Sequence, residues 1–220
     1  MPSSTFSYTS ADGTRIAAYR WDPTGEPRAV VQLTHGMGEH AQRYEHVAKA
    51  LNDAGFVVYA QDHRGHGASA RRQGADPGAL GDLGKGGWAG LVDDIGLLSA
   101  HNWLSRDEAM VDAYVADPRC GFGIDTGSAR AMFAGARRGA DPAQVAAIRP
   151  DLPLYIAVGE ADPVNGGLAL LTPLAERYRA AGLTGVTVRT YPDARHEILN
   201  ETNRDQVIAE LIGWIDGVLA

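Results

Sequence analysis

The chain has 220 residues, 45% of them hydrophobic and 21% charged, the proportions of a soluble globular protein with one sizeable core. Its 27 acidic and 20 basic side chains leave a formal charge of −7, a sign that repels phosphate backbones and anionic headgroups and excludes ordinary nucleic-acid binding. The single cysteine, Cys120, excludes an internal disulfide framework and a cysteine-rich zinc site. Met1 to Ser10 is polar, without the apolar stretch of a signal peptide, and no apolar run approaches the ~20 residues that cross a bilayer. A cytoplasmic chain with no transmembrane segment is therefore expected.

Thr5–Thr9 and Arg15–Trp21 read as two short strands joined by a turn at Asp12-Gly13, a strong hairpin signal. Ala29 to Thr34 is a β-branched apolar run, the look of a buried strand. After the loop His35–His40, residues Tyr44, Val47, Ala48 and Leu51 recur at helical spacing, and Gly55 is placed for a C-cap. Phe56 to Ala60 is the next strand and Asp62–Ala70 the loop beyond it. The glycine-rich stretch Gly78–Gly87 then leads into a helix from about Trp88 to His101. From Leu104 to about Pro150 there are helical patterns and loops but no convincing strand. Ser105 reads there as an N-cap before Asp107 and Glu108, and Asp141-Pro142 opens a short helix. Alternation returns with strand Leu154–Val158, a helix from about Leu168 to Ala181, strand Val186–Tyr191 and a helix from about Asn203 to Leu219.

This pattern predicts an α/β core interrupted by a helical insert. Open α/β sheets bind ligands beyond the carboxyl ends of their strands, which directs attention to four loops. They carry His35-Gly36-Met37-Gly38-Glu39-His40, Asp62-His63-Arg64-Gly65-His66-Gly67, Gly159-Glu160-Ala161-Asp162 and Asp193-Ala194-Arg195-His196-Glu197. A carboxylate after one strand and a histidine after the next follow the acid-then-base order of hydrolytic triads. A buried Asp fixes the imidazole tautomer, and the neutral imidazole then takes the proton of a weak nucleophile.

Six segments, HGMGEH (35–40), RY (43–44), DHRGHGAS (62–69), LSRDEAMVDAYVADP (104–118), VGEADPVN (158–165) and ARHEILNE (194–201), lie in one order along the chain. In them the chain resembles the monoacylglycerol lipase-like, lysophospholipase-like group of α/β-hydrolases, of serine aminopeptidase S33 type. The resemblance implies a three-layer α/β/α fold with a mostly parallel central sheet and a small helical cap. Residues 1–102 would form the N-terminal half of the core, 103–150 the cap insert and 151–220 the C-terminal half. It implies Asp162 as triad acid, His196 as general base and the Met37 N–H as an oxyanion donor, supported by His35, Gly36 and Gly38. It further implies hydrolysis of a lipid-like or small-molecule acyl ester, with no cofactor and no metal.

The chain departs from that family at one place. His101-Asn102-Trp103 runs directly into the segment beginning at Leu104, where the family has a strand, a Gly-x-Ser-x-Gly elbow, a helix and another strand. Such a unit takes roughly 30 residues or more, and no Gly-x-Ser-x-Gly occurs anywhere in the chain. The nucleophile, one oxyanion N–H and two central strands are therefore expected to be missing. A real deletion, a non-catalytic descendant and a segment omitted from the sequence all fit. Without those strands, exposed edges are expected to favour self-association. The alternative to a working esterase is an inactive hydrolase-fold protein that binds or scaffolds.

Substitute nucleophiles have plainer readings: Ser69 as a turn residue, Ser128 as an N-cap, Ser99 as helix surface and Cys120 as a small packed residue. Gly36 to Ala41 fits the permissive G-x-G-x-x-A dinucleotide pattern with Asp62 about twenty residues on, but an N-terminal hairpin precedes it. Gly84-Lys85 fails the phosphate-loop pattern twice. His35, His40, His46, His63 and His66 match no standard ligand spacing, and His196-Glu197-Ile198-Leu199-Asn200 lacks the final His of H-E-x-x-H. Trp103, Tyr114 and Phe133 are expected in the core of the cap rather than along an acyl pocket.

Overall fold

Two parallel strand pairs, one in each half of the chain, form the frame of the protein as seen in a computed structural model. The structure describes residues 1–9, 15–71 and 103–220. The turn at Asp12-Gly13, the stretch 78–87, the helix expected over 88–101 and Ser99 lie outside the described residues. The chain divides into two units. One comprises Met1–Leu91, Asp112–Asp125 and Ile208–Ile212, and the other Val92–Val111, Thr126–Val207 and Gly213–Ala220.

The first unit holds β1 (Ser4–Thr9), β2 (Arg15–Trp21), β3 (Ala29–Leu33) and β4 (Phe56–Gln61) in a four-stranded sheet of order β1-β2-β4-β3. The β1–β2 and β2–β4 pairs are antiparallel and β3–β4 is parallel, so this sheet is mixed. The strand β4 has the β-branched and aromatic sequence FVVYAQ and is buried along most of its length. Helix α1 (Glu45–Asp53) buries Val47, Ala48 and Leu51, spaced to lie on one face. Burial of Val47 and Leu51 is worth roughly 1.5–3 kcal/mol apiece. The Asn52 amide donates to the carbonyls of Phe56 and Trp21, and Gly55 takes the left-handed φ of +89° that turns the chain into β4.

At the end of β4, Asp62 is fully buried. Its Oδ1 accepts from the Ala41 N–H, and its Oδ2 accepts from Tyr19 O–H and the Ala68 N–H. The segment read from sequence as a loop closes here into a short helix, α2 (Gly67–Arg71). Its Ser69 is fully buried, donates to the Asp62 carbonyl and accepts from the Ala17 N–H, so its hydroxyl is committed to structure.

Helix α3 (Glu108–Ala116) begins after Asp107, whose Oδ1 accepts from the N–H groups of Ala109 and Met110. Asp107 rather than Ser105 is thus the capping residue. Ser105 instead accepts the Asp107 N–H and donates to the Asn200 carbonyl. Helix α4 (Thr126–Gly139) starts two residues before Ser128, so Ser128 is not its N-cap. No residue of α4 is buried, and Phe133 is half exposed, which departs from the cap core expected of it. The small residues flanking Phe133, Ala131, Ala134 and Gly135, offer little surface to bury. Asp141 caps α5 (Pro142–Ala146) through the Ala143 N–H, as expected.

The second unit carries β5 (Leu154–Gly159) and β6 (Val186–Tyr191), a parallel pair in register from Leu154↔Val186 to Gly159↔Tyr191. Helix α6 (Leu171–Ala180) connects them, and α7 (Arg204–Leu219) ends the chain. Tyr191, Ala194 and Val207 form a small core, with Ala157, Ile198 and Leu199 against it. Among the described residues the strands therefore fall into a four-stranded and a two-stranded sheet. No described helix is long and apolar enough to cross a membrane.

Candidate active site

The parallel register of β5 and β6 brings their carboxyl ends side by side, and the two loops that follow are zipped together by backbone. Glu160 N–H donates to the Tyr191 carbonyl and Ala161 N–H to the Ala194 carbonyl. Gly159 permits this approach, because a Cβ at that position would strike the carbonyls of Ala194 and Arg195. Asp162 is buried at the head of a short 3-10 turn over Pro163–Asn165, and its Oδ1 accepts from the Val164 N–H. Its Oδ2 stands 3.1 Å from Nδ1 of His196.

His196 is held from three sides. Its backbone N–H donates to the Trp103 carbonyl, and its ring packs on the Trp103 indole with centroids 4.9 Å apart. Asp162 fixes the Nδ1 edge. The side chain is 39% exposed, so the imidazole is anchored yet open to solvent or substrate. The hydrogen bond to Asp162 favours the proton on Nδ1, leaving Nε2 as the basic atom.

Glu201 buttresses this loop and was not singled out by the sequence reading. It is fully buried and accepts four N–H groups: Arg195 N–H at 2.7 Å, Arg106 N–H at 3.1 Å, Arg106 Nε at 2.9 Å and Thr202 N–H at 3.0 Å. Burial alone would raise its pKa, but these donors outweigh it and hold the carboxyl below the usual glutamate range. Only its position at the end of ARHEILNE hinted at it.

The expected oxyanion loop lies in the first unit. Met37 is exposed at the tip of the turn after β3, while His35, Gly38, Glu39 and His40 are buried. His35 Nε2 accepts from the His63 N–H and its Nδ1 faces the Gly36 carbonyl, the pattern of a neutral ring with the proton on Nδ1. His63 Nε2 lies 3.1 Å from the His35 carbonyl. Glu39 accepts from the Gly36 N–H, the Arg43 guanidinium and Tyr44 O–H. Gly38 has a left-handed φ of +77°, and its carbonyl accepts from the Gly121 N–H and Tyr114 O–H. Tyr114 thus packs on this loop, with Arg43 4.7 Å over its ring.

Burial lowers the pKa of His35 to about 4, and burial also lowers His40 and His66. A base that titrates lower in the folded state than its unfolded value of 6.5 is protonated preferentially in the unfolded chain. The stability that these neutral rings contribute is therefore fully present above pH 6.5 and is lost progressively as pH falls toward 4. Urea unfolding at pH 7.5, 6 and 5 should show a descending midpoint; equal midpoints would contradict this account of the loop.

A strand-end carboxylate hydrogen-bonded to the histidine of the next strand end, on a parallel α/β frame, defines the α/β-hydrolase class. The chain belongs to the serine aminopeptidase S33 family, in its monoacylglycerol lipase-like group: the family model matches residues 25–98 and 91–203. It is 27% identical to a monoacylglycerol lipase of Mycolicibacterium smegmatis over 278 aligned positions, covering 95% of each chain. A carboxyl esterase of Bacillus coagulans shares the fold at a TM-score of 0.79, with 21% identity and all of both chains covered. The monoacylglycerol lipase of Paleococcus ferrophilus has a TM-score of 0.62 and 20% identity, over 90% of this chain and 97% of its own.

Proposed function

We propose that this chain is a carboxylic-ester hydrolase of lipid-like acyl esters by descent, of the monoacylglycerol or lysophospholipid type, that keeps the acid and base of the triad but no nucleophile. The observation that carries it is the 3.1 Å contact between buried Asp162 and exposed His196. Given a serine, His196 Nε2 would take its proton as it attacks the ester carbonyl, and Asp162 would steady the resulting imidazolium. Backbone donors including the Met37 N–H would hold the tetrahedral oxyanion.

Two findings support the missing elbow. The alignment to the mycobacterial lipase runs over 278 positions against 220 residues in this chain. The family model also matches in two pieces that meet at residues 91–98, just before the junction at 101–104. With no Gly-x-Ser-x-Gly present, the reading that follows is an inactive hydrolase-fold protein that binds or scaffolds. The strand β3 supports self-association: among the described residues it ends the four-stranded order, and Val30 on it is 67% exposed.

Initial rates on a short-chain p-nitrophenyl ester and on a monoacylglycerol test this reading. The chain and its His196→Ala variant should both run at the rate of the protein-free blank. A rate that depends on His196 would establish a nucleophile and overturn the proposal.

A further inference from the structure

We propose that His40, Asp117 and Cys120 form a binding site for a divalent cation of the zinc class, independent of the Asp162–His196 pair in the loops after β5 and β6. The three residues offer one nitrogen, one oxygen and one sulfur, and these ligand atoms all lie within 4.8 Å of one another. That donor set suits a borderline-soft cation: zinc takes imidazole, thiolate and carboxylate in tetrahedral geometry, often with a fourth position left to water. Sequence spacing alone pointed to no metal, because His40 comes from the loop after β3 and the other two from the turn after α3.

The frame around these ligands is already built. Asp117 Oδ1 accepts the Arg119 N–H, Cys120 N–H donates to the Asp117 carbonyl, and Gly121 N–H donates to the Gly38 carbonyl. This fixes the turn against the loop that ends at His40. His40 is 2% exposed, its Nε2 lies 2.8 Å from Asp117 Oδ2, and its Nδ1 is buried with no hydrogen-bond partner among the described residues. A cation shared with Asp117 would take Nε2, the ring nitrogen that faces this carboxylate, in place of the hydrogen bond between them.

Two groups oppose the cation and set its conditions. Arg119 holds both oxygens of Asp117 and competes for that carboxylate. Cys120 would bind as the thiolate, giving up its proton on coordination. Once bound, the site would clip the turn at 117–121 to the loop 35–40.

Cobalt(II) titration of the folded chain reads this site directly, since cobalt replaces zinc and reports a thiolate ligand by a near-ultraviolet charge-transfer band. A saturable one-to-one band is expected, displaced by zinc, abolished in Cys120→Ser and shifted to at least ~tenfold weaker affinity in His40→Gln. No band, a band surviving Cys120→Ser, or an unchanged affinity in His40→Gln would overturn the site. Should His40→Gln fail to fold, alkylation of the unmodified chain decides: zinc should protect Cys120 from iodoacetamide, and equal labelling with and without zinc overturns the proposal.

Discussion

Inserting the strand–elbow–helix–strand segment of the mycobacterial lipase at the 101–104 junction is expected to raise ester hydrolysis by about 10³-fold or more. Loss of a triad serine alone costs on the order of 10⁶ in turnover, while oxyanion donors and binding leave only a small residue of activity. Asp162 and His196, the proposed acid and base, need no reconstruction, because they are already in contact and both loops are tied by backbone hydrogen bonds. The gain should vanish when His196→Ala is placed in the same graft. A folded graft with no gain would show that the pair is not arranged to serve a serine. Initial rates on a p-nitrophenyl ester, with circular dichroism to confirm folding, measure this.

Replacing Glu201 with alanine should lower stability by about 3–5 kcal/mol, as expected when one partner of a buried charged network is removed. The carboxylate is fully buried and serves four donors, two from Arg106 and one each from Arg195 and Thr202. Without it the Arg106 guanidinium loses its buried counter-charge, and the N–H next to His196 loses its acceptor. Glu201→Gln keeps an acceptor oxygen and should lose less. The lowered carboxyl also sets a sign with pH: its contribution is present above the ordinary glutamate value and disappears as pH falls through the lower folded value. The difference between parent and variant should therefore shrink in acid. Urea unfolding measures both effects, and a change under ~1 kcal/mol at neutral pH would refute the buttressing role.

Most strands could be read from the chain because their signals are local. The runs Ala29–Leu33, Phe56–Gln61, Leu154–Gly159 and Val186–Tyr191 are β-branched and apolar, and the structure places strands there within a residue or two, though β3 has no buried residue where a buried strand was expected. Asp162 and His196 were legible for the same reason: each follows a strand, and a parallel pairing brings such ends together. Helix starts were less legible. Ser105 and Ser128 have the composition of caps, but Ser105 is drawn to Asn200, 95 positions away, and α4 begins earlier. The Glu201 network and the meeting of His40 with Asp117 and Cys120 join segments some 80 to 95 residues apart, and no periodicity records such contacts. Met37 sits exposed in its turn, and the oxyanion role proposed for it involves its backbone N–H alone.

Asp162 and His196, in the reading proposed above, persist as an acid–base pair without a serine to activate. Fluorophosphonate labelling of the folded 220-residue chain, with any adduct mapped by peptide mass spectrometry, tests it most directly. No adduct above that of the His196→Ala variant is expected. A stoichiometric adduct on a single serine, lost in His196→Ala, would contradict that reading and identify the nucleophile.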